Sequence, residues 1–511
     1  MGSGRLLARK IRISATATSF DCLTGDVIAN PEWRWRALAV AAGALPILTF
    51  PRADLGWAAW IVLAPGMALM RFGNGREPAV RGWCFGTGYL FAALYWTLPN
   101  IGPALLLVAL VFGTLWGVWG AAVRWLVPEH PLAALLVLPS GWVVIELVRS
   151  WPKLGGPWAV LGASQWGSPA TLELARLGGV WLVSFVLVLV NTAVLLVAVT
   201  RRWRYLAAVA LVGAGPAVQA TREEPDPGRP LSVALVQPGV IHGPAARFDA
   251  GERITATLPP TDLIVWGESS VGFDLRRRTD LTARLAALAA RGDLLVNEDA
   301  RDAGGRISKS TVLIGANGPR ARYVKTRLVP FGEYIPFRSG MGWLARVSAA
   351  AAEDRVPGSG AVTMRAGGTT VGPLICFESA FPDLGRAVVR RGAQVIVYQS
   401  ATSTFQKSWA PAQHASLGAV RAAETGRPVV QAALTGVSAA FDARGRRLTW
   451  QDTAERGAVA LTLRLPDPAS RTPYVRFGDY VAYLAVLVSA GAAATRSRKI
   501  VAVWHKMPGM G

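Results

Sequence analysis

TTVGPLICFES, residues 369–379, is a run of β-forming residues that ends in a cysteine. Cys376 is the only cysteine after residue 85, and the carboxylate of Glu378 follows shortly after it. A strand that delivers a single cysteine to a loop is typical of a positioned nucleophile. The alternative is that Cys376 is a small buried apolar residue, which is common for an isolated cysteine. The rest of the chain decides between the two.

The second half of the chain alternates β-type runs with amphipathic segments. Residues 221–230 are polar and proline-rich, and we predict that they form a linker. Continuous apolar strands that alternate with helices indicate a layered α/β fold with buried sheets. We therefore predict one α/β domain over residues 231–467, which is long enough for a hydrophobic core of its own. The predicted strands include LSVALVQ, DLIVWGE, LLVNED, TVLIGA, ARYVK, TVGPLIC, QVIVYQ and PVVQAAL.

Three of these strands end in reactive side chains: Glu268, Lys325 and Cys376. Strand ends in an α/β fold meet at a sheet edge, so the three groups are expected to converge there. The thiol needs a base, which Glu268 supplies if burial raises its pKa. Lys325 and the backbone amide of Phe377 are candidates for stabilising an oxyanion. Taken singly, a glutamate or lysine at a strand end is more often a solvated surface residue.

The first half of the chain is strongly apolar. The whole chain is 52% hydrophobic with a mean hydropathy of +0.33, and 15 of its 20 tryptophans lie before residue 204. This composition exceeds that of an ordinary soluble protein, and tryptophan is enriched at membrane–water interfaces. We predict a transmembrane bundle over residues 37–220 and one further transmembrane helix at 478–494. Seven apolar runs make up the bundle, at roughly 37–50, 55–70, 82–98, 103–123, 131–148, 176–200 and 205–220.

Charge between the apolar runs predicts the orientation. Lys and Arg total 54 against 32 Asp and Glu, a net charge of +22, but no basic–aromatic motif for nucleic acid appears. If the basic tail at 1–36 is cytoplasmic, the loops after the second, fourth and sixth runs are cytoplasmic too, as the positive-inside rule requires; these loops carry Arg71, Arg76, Arg81, Arg124, Arg201, Arg202 and Arg204. Seven crossings then place the α/β domain outside the cytoplasm, and the eighth returns the basic tail at 495–511 inside. The predicted fold is a multi-pass bundle of about eight helices with an extracytoplasmic α/β domain.

Two features of the membrane half are candidates for a role at the site. Glu146 and Arg149 lie one helical turn apart in an apolar run, where we expect a structural ion pair, with a substrate role as the alternative. The connection at 151–179 is rich in Trp and Gly, and we expect this arm to lie on the membrane surface beside the site. Cys22, Cys84 and Cys376 are far apart in sequence, so neither a disulfide framework nor a cysteine metal site is expected.

Three motifs carry a resemblance to a known family. WGES (266–269), YVKTRLVPFGEYIPF (323–337) and ICFES (375–379) resemble, in that order, the three signature regions of the nitrilase superfamily. The stretch KTRLVPFGEYIP resembles the apolipoprotein N-acyltransferases, the membrane branch of that superfamily. GWVVIELVRSWPKLGGPW (141–158) and QHASLGAVRAAETGRP (413–428) resemble the same family. The similarity covers roughly residues 130–465.

The resemblance implies an α-β-β-α sandwich and assigns roles to single residues. Glu268 would be the general base, Lys325 the oxyanion stabiliser and Cys376 the nucleophile. Glu333 and Glu378 match assisting carboxylates, with a structural salt bridge as the alternative for each. Residues implied near the nucleophile or the substrate are Phe377, Phe248, Tyr334 and Phe405. His414 and Arg421 are expected to serve packing and hydrogen bonding.

The chain departs from the family pattern in three places. Gly267 stands where the family commonly has proline, residues 401–405 replace an Asn-Asp-x-Trp-Phe segment, and residues 434–436 replace an Asn-Asn-Gly turn. The three reactive residues are intact. We expect these differences to affect acyl-donor preference and efficiency more than reaction type.

By this resemblance the chain is expected to be an apolipoprotein N-acyltransferase in the bacterial inner membrane. It would carry a fatty acyl chain from a phospholipid, through a thioester, to the amine of a diacylglyceryl-cysteine lipoprotein. No metal or organic cofactor is implied, no nucleic acid is expected as a partner, and the protein is expected to be a monomer. Two alternatives are a membrane-tethered amidase or hydrolase with the same three residues, and a non-catalytic protein that binds lipid or lipoprotein.

Overall fold

A computed structural model describes residues 32–154, 156–207, 210, 228–301, 305–336, 338–341 and 354–504. Most of the predicted tail at 1–36 and of the linker at 221–230 lies outside these residues. So do most of the apolar run at 205–220 and the end of the tail at 495–511.

Two six-stranded sheets form the second half. The strands within the described residues are β1 (Arg229–Gln237), β2 (Leu263–Trp266), β3 (Asp293–Arg301), β4 (Ile307–Gly315), β5 (Gly318–Val324), β6 (Met364–Ala366), β7 (Thr369–Ile375), β8 (Val395–Ser400), β9 (Val429–Ala433), β10 (Ser438–Phe441), β11 (Arg447–Gln451) and β12 (Gly457–Leu465). The first sheet has the order β12-β1-β2-β3-β4-β5 and the second β11-β10-β9-β8-β7-β6. Strands β1 to β3 are mutually parallel, as are β7 to β9, and the other pairs are antiparallel. The carboxyl ends of β2, β7 and β8 therefore carry the loops of the site.

Side chains of β1 alternate between two cores, as the period of a strand dictates. Val233 and Leu235 are buried between the sheets with residues of the second sheet such as Val371. Ala234 and Val236 face the opposite way, into a second core with the outer helices. The strand thus reads as a continuous apolar run because both of its faces are covered. This arrangement confirms the expected two-sheet α/β domain.

Twelve numbered helices accompany the sheets within the described residues, with short helical turns left unnumbered. They are α1 (Glu32–Ala44), α2 (Ala64–Arg71), α3 (Glu77–Leu94), α4 (Ala104–Glu129), α5 (Pro131–Arg149), α6 (Pro169–Thr200), α7 (Pro244–Ala256), α8 (Thr279–Leu288), α9 (Pro382–Arg390), α10 (Ala410–Thr425), α11 (Pro473–Phe477) and α12 (Tyr480–Trp504). Helices α7 and α8 cover the first sheet, whereas α9 and α10 pack on the second.

Three helices in the described part of the chain are long and apolar enough to cross a membrane: Ala104–Val127, Pro131–Arg149 and Pro169–Thr200. Tyr480–Arg496 is apolar but shorter. The first two predicted runs are broken, because Pro46 and Pro65 each stand in the first turn of a short helical segment, where proline is tolerated. Length and composition thus support three spans, and the predicted count of eight stays a prediction.

The expected ion pair within α5 was wrong. The structure describes both residues: Glu146 accepts hydrogen bonds from the Trp142 ring at 2.8 Å and from the Leu161 backbone at 2.7 Å. Arg149 donates to the carbonyl of Trp158 at 2.7 Å. Both charged groups are buried. Each one bonds to the connection that follows α5, and the two do not bond to each other. That connection ends at the start of α6, so the last third of the predicted arm at 151–179 is helical.

The α/β domain is fixed to the apolar helices by two carboxylates. Asp479, just before α12, accepts hydrogen bonds from Arg386 at 2.6 and 2.9 Å and from the Trp181 ring at 2.9 Å. Glu424 of α10 accepts the Val180 backbone N–H at 2.7 Å. This N–H is free because α6 is kinked at Gly179, whose φ is +70°. The kink in α6 therefore exposes the N–H that binds the α/β domain.

Candidate active site

Cys376 begins a helical turn directly after β7. Its φ of +50° lies in the left-handed region, which a non-glycine residue adopts only at a cost in free energy. The thiol lies 3.9 Å from the Ala401 carbonyl, and the Ser400 hydroxyl donates to the sulfur at 3.9 Å. Burial and the negative charge of Glu268 raise the pKa of the thiol to about 12. The sulfur is therefore protonated at neutral pH and needs a base to attack.

Glu268 follows β2 and is held between the two sheets. Its backbone N–H donates to the Ser400 carbonyl at 3.1 Å. Its Oε1 atom accepts hydrogen bonds from Lys309 Nζ at 2.9 Å and from Lys325 Nζ at 3.2 Å. The expectation that burial raises the pKa of Glu268 was wrong: burial acts in that direction, but the two ammonium groups outweigh it and lower the pKa.

Lys325 follows β5 and joins two carboxylates. Its Nζ atom donates to Glu333 at 3.0 Å as well as to Glu268. Burial lowers the pKa of Lys325, but the two carboxylates more than reverse this, so its pKa is raised and the group stays cationic. A cation beside the thiol is suited to a developing oxyanion. Glu333 is fixed in turn by the Val329 N–H, which donates to it at 2.9 Å.

Glu378 forms no ion pair with the residues that the structure describes, but it accepts five hydrogen bonds. The Ile375 N–H donates to Oε2 at 2.7 Å. The Oε1 atom accepts from Tyr323 Oη at 2.8 Å, Thr326 N at 2.7 Å, Thr326 Oγ1 at 2.8 Å and Arg327 N at 3.0 Å. These donors flank Lys325 and Cys376 in sequence, so the carboxylate ties the lysine loop to the cysteine strand.

Lys309 of β4 is a member of the site that the sequence analysis missed. It pairs across the strands with Asp299 and extends its ammonium group to Glu268. The predicted strand TVLIGA began at residue 311, which left Lys309 in a loop. The available signal was the alternation in ISKSTVLIG, which places residues 309, 311 and 313 on one face of the strand.

His414 of α10 lies next to the nucleophile. Its two ring nitrogens face the hydroxyls of Ser379 at 3.3 Å and Ser400 at 3.4 Å. Burial lowers the pKa of His414 to about 4, so the ring is neutral at physiological pH. These contacts fit the expected role in packing and hydrogen bonding.

Aromatic side chains from the apolar half pack on residues of the α/β domain next to the site. Trp96, just after α3, lies 4.7 Å from Phe405 and 4.8 Å from Trp158, between ring centroids. Trp158 stacks on His414 at 6.3 Å, and Tyr334 donates to the Pro152 carbonyl at 3.1 Å. The connection between α5 and α6 thus lies directly on the loops of the α/β domain.

The remaining predicted residues lie in apolar surroundings. Phe377 packs edge-on against Phe381, with ring centroids 5.2 Å apart. Phe248 is 1% exposed and packs against Trp266 in the outer core. This packing accounts for Phe248 without a substrate, and the expected contact at the substrate entrance stays a prediction. In the described part of the chain, no group of three His, Cys, Asp or Glu residues is placed to hold a metal ion.

Two stretches of the chain match known families. Residues 42–193 match the apolipoprotein N-acyltransferase N-terminal domain, and residues 209–467 match the carbon-nitrogen hydrolase family. An apolipoprotein N-acyltransferase of Pseudomonas putida is 30% identical over 498 residues, which cover 89% of this chain and 95% of that protein. The chain belongs to the apolipoprotein N-acyltransferase family. The membership confirms the resemblance carried by the three motifs and the enzyme class expected from it.

Other relatives have similar coverage. Apolipoprotein N-acyltransferases of Geobacter metallireducens and Azotobacter vinelandii are 29% and 30% identical, over 90% and 92% of this chain and 95% and 96% of their own length. The crystal structure of an amidase from Nesterenkonia sp. is 17% identical with a TM-score of 0.35, over 48% of this chain and 92% of that one.

Proposed function

We propose that this chain transfers a fatty acyl group from a membrane phospholipid to the N-terminal amine of a diacylglyceryl-cysteine lipoprotein. The observation that carries the proposal is the position of Lys325, which bonds to both Glu268 and Glu333 beside the Cys376 thiol. Family membership supplies the class of donor and acceptor. The catalytic residues would be Glu268 as base, Lys325 as oxyanion stabiliser and Cys376 as nucleophile.

The first step forms the thioester. Glu268 takes the thiol proton while the sulfur attacks the ester carbonyl, so a C–S bond forms and the carbonyl oxygen becomes an oxyanion. Lys325 and the Phe377 N–H stabilise that charge. The ester C–O bond then breaks, and Glu268 returns the proton to the departing alkoxide, which leaves as lysophospholipid. Because the two ammonium groups lower the pKa of Glu268, its protonated form is a stronger acid than an ordinary carboxylic acid, which favours this transfer.

The second step resolves the thioester. The lipoprotein amine attacks the thioester carbonyl, forms the C–N bond and expels the sulfur. Glu268 takes the proton that the amine loses and gives it to the Cys376 thiolate, which restores the starting state. The products are an N-acylated lipoprotein and free enzyme, and no cofactor takes part.

The aromatic cover and the apolar helices serve this chemistry. Both substrates are anchored in a membrane, so a site next to apolar helices receives them already oriented. Trp96, Trp158 and Phe405 lie over the site and keep water from the thioester. Tyr334, which bonds to the connection after α5, would contact substrate at the same opening.

The proposed topology follows the charge pattern. The tail at 1–36 and the tail at 495–511 would be cytoplasmic, the bundle would span 37–220, and the helix at 478–494 would return the chain. The linker at 221–230 would lead into a catalytic domain at 231–467 on the extracytoplasmic face of the bacterial inner membrane. The protein would act as a monomer. Reporter fusions after residue 300 and after residue 500 test the topology, because the two fusions must report opposite sides of the membrane.

The activity test uses the full-length protein in phospholipid vesicles. The donor carries an isotope-labelled acyl chain, and the acceptor is a synthetic diacylglyceryl-cysteine lipopeptide. We expect labelled N-acyl lipopeptide and, without acceptor, a labelled thioester on the Cys376 peptide by mass spectrometry. Cys376→Ala must abolish both, and Lys325→Ala and Glu268→Ala must abolish nearly all turnover while the protein still inserts.

The outcomes separate the three candidate functions. Fatty acid released without any amide product would replace the transferase by a hydrolase. A correctly inserted protein that forms no adduct with any phospholipid would be a binding protein. Wild-type turnover by Lys325→Ala would remove the proposed mechanism while leaving the family assignment intact.

A further inference from the structure

Lys309 places a second ammonium group on the carboxylate of Glu268. Its Nζ atom is 2.9 Å from Glu268 Oε1 and 2.9 Å from Ser269 Oγ. Asp299 and Glu333 lie 3.6 and 3.9 Å from the same nitrogen. Lys309 is only 9% exposed, so its charge is largely removed from water. A buried lysine is retained only where anions compensate the loss of hydration.

The charges around Glu268 form a balanced set. Asp299 pairs with Arg355 at 2.6 Å, and Arg355 also approaches Glu333 at 3.9 Å. The set contains the cations Lys309, Lys325 and Arg355 and the anions Glu268, Glu333 and Asp299. Without Lys309, three anions, of which Glu268 and Glu333 are buried, would face two cations. Protonation of one anion would remove the excess negative charge. Glu268 is the anion most directly affected, because Lys309 binds it at the shortest distance.

We propose that Lys309 is a positioning residue that holds Glu268 ionised and oriented toward Cys376, and thereby sets the lower pH limit of acyl transfer. This inference rests on the proposed function, since it assigns Glu268 the role of base. Lys309 does not touch the reacting atoms: it fixes one carboxylate oxygen and keeps the charge that accepts the thiol proton. Because Lys309 also binds Glu268, Lys325 is not the only cation on that carboxylate, and its ammonium group can stabilise the oxyanion.

The direction of the effect follows from the charges. Lys309 and Lys325 both lower the pKa of Glu268. Loss of one cation raises that pKa, so Glu268 becomes protonated at a higher pH and the acid limb of activity moves upward. The other groups that face Glu268 are Arg355, which is cationic, Cys376, whose thiol is protonated in this range, and His414, which is neutral. Arg355 is present in the wild type and in the variant alike, so none of the three replaces the missing charge.

The experiment measures the pH dependence of Cys376 acylation in a single turnover. Full-length protein in vesicles of isotope-labelled phosphatidylethanolamine is sampled over time, and the acyl-enzyme peptide is quantified by mass spectrometry. For Lys309→Met we expect the acid limb to move upward by about one to three pH units. Lys309→Gln retains a hydrogen-bond donor without charge and should show the same shift. Lys309→Arg keeps the cation and should restore the wild-type limb.

A double variant makes the test independent of folding losses. Lys309→Met combined with Asp299→Asn removes one cation and one anion, so the set is balanced again and the acid limb should return toward that of the wild type. A lower rate with an unshifted limb in Lys309→Met and Lys309→Gln would overturn the proposal and leave Lys309 a structural residue. A shift that the double variant does not reverse would also overturn it. Absence of any acyl-enzyme in the wild type would instead refute the proposed function.

Discussion

A Cβ atom on Gly267 would lie 1.8 Å from the backbone nitrogen of Leu434, so the loops after β2 and β9 meet with no room for a side chain. The Leu434 N–H donates to the Ser400 carbonyl at 2.8 Å, and the same carbonyl accepts the Glu268 N–H. One oxygen of the second sheet thus fixes both the general base of the proposed mechanism and the loop beside it. The contact at Gly267 sets the distance between the two sheets where they form the site.

Gly267→Ala should therefore lower both stability and activity. The added methyl group forces the backbones at Gly267 and Leu434 apart, although both are bonded to the same Ser400 carbonyl. Overpacking of this kind costs about 1–3 kcal/mol. The displaced Glu268 should slow acylation of Cys376. Thermal unfolding and the single-turnover acylation rate measure the two effects. Gly167→Ala is the matched control, because a Cβ atom there meets no atom within 4 Å, and it should leave both values unchanged.

The sequence predicted the three strand-end groups because each one directly follows a recognisable β run. Gly267 and Leu434 were visible only as two separate departures from the family pattern. Their contact depends on the spacing of the sheets, which no local pattern encodes. Lys309 was missed for a similar reason, since a buried lysine looks like a loop residue until its anionic partners are known. Composition predicted the apolar helices of the first half, but prolines interrupt the first two runs.

Glu378→Gln tests the carboxylate that joins the lysine loop to the cysteine strand. An amide offers one acceptor oxygen where the carboxylate receives five donors, and its NH₂ group would face N–H groups. A buried donor left without a partner costs about 1–3 kcal/mol. We expect a lower unfolding temperature and slower acylation, because Lys325 and Cys376 lose their common anchor. Full activity in Glu378→Gln would show that neither depends on this carboxylate.

The pH profile should be independent of His414. Burial lowers the pKa of this ring to about 4, so it carries no charge from pH 5 to 8 and gains one only under more acidic conditions. His414→Gln keeps a polar group near the hydroxyls of Ser379 and Ser400. We expect a modest loss of rate with an unchanged pH dependence of acylation between pH 5 and 8. Disappearance of a titration step in this variant would assign His414 a proton-transfer role.

Trp158 is the residue of the α5–α6 connection whose ring stacks on His414 beside the nucleophile. It is 7% exposed, contacts Trp96 and His414, and is anchored through its carbonyl by Arg149. Trp158→Ala leaves the backbone anchor in place but removes the ring, which opens a path for water to the thioester. We expect acylation of Cys376 to persist while the ratio of free fatty acid to N-acyl lipopeptide rises. Both products are measured from the same labelled donor, so the ratio does not depend on how much enzyme is folded.

Trp151→Ala is the control, because that ring is 55% exposed and should leave the ratio unchanged. An unaltered ratio in Trp158→Ala would mean that the ring packs the connection without excluding water.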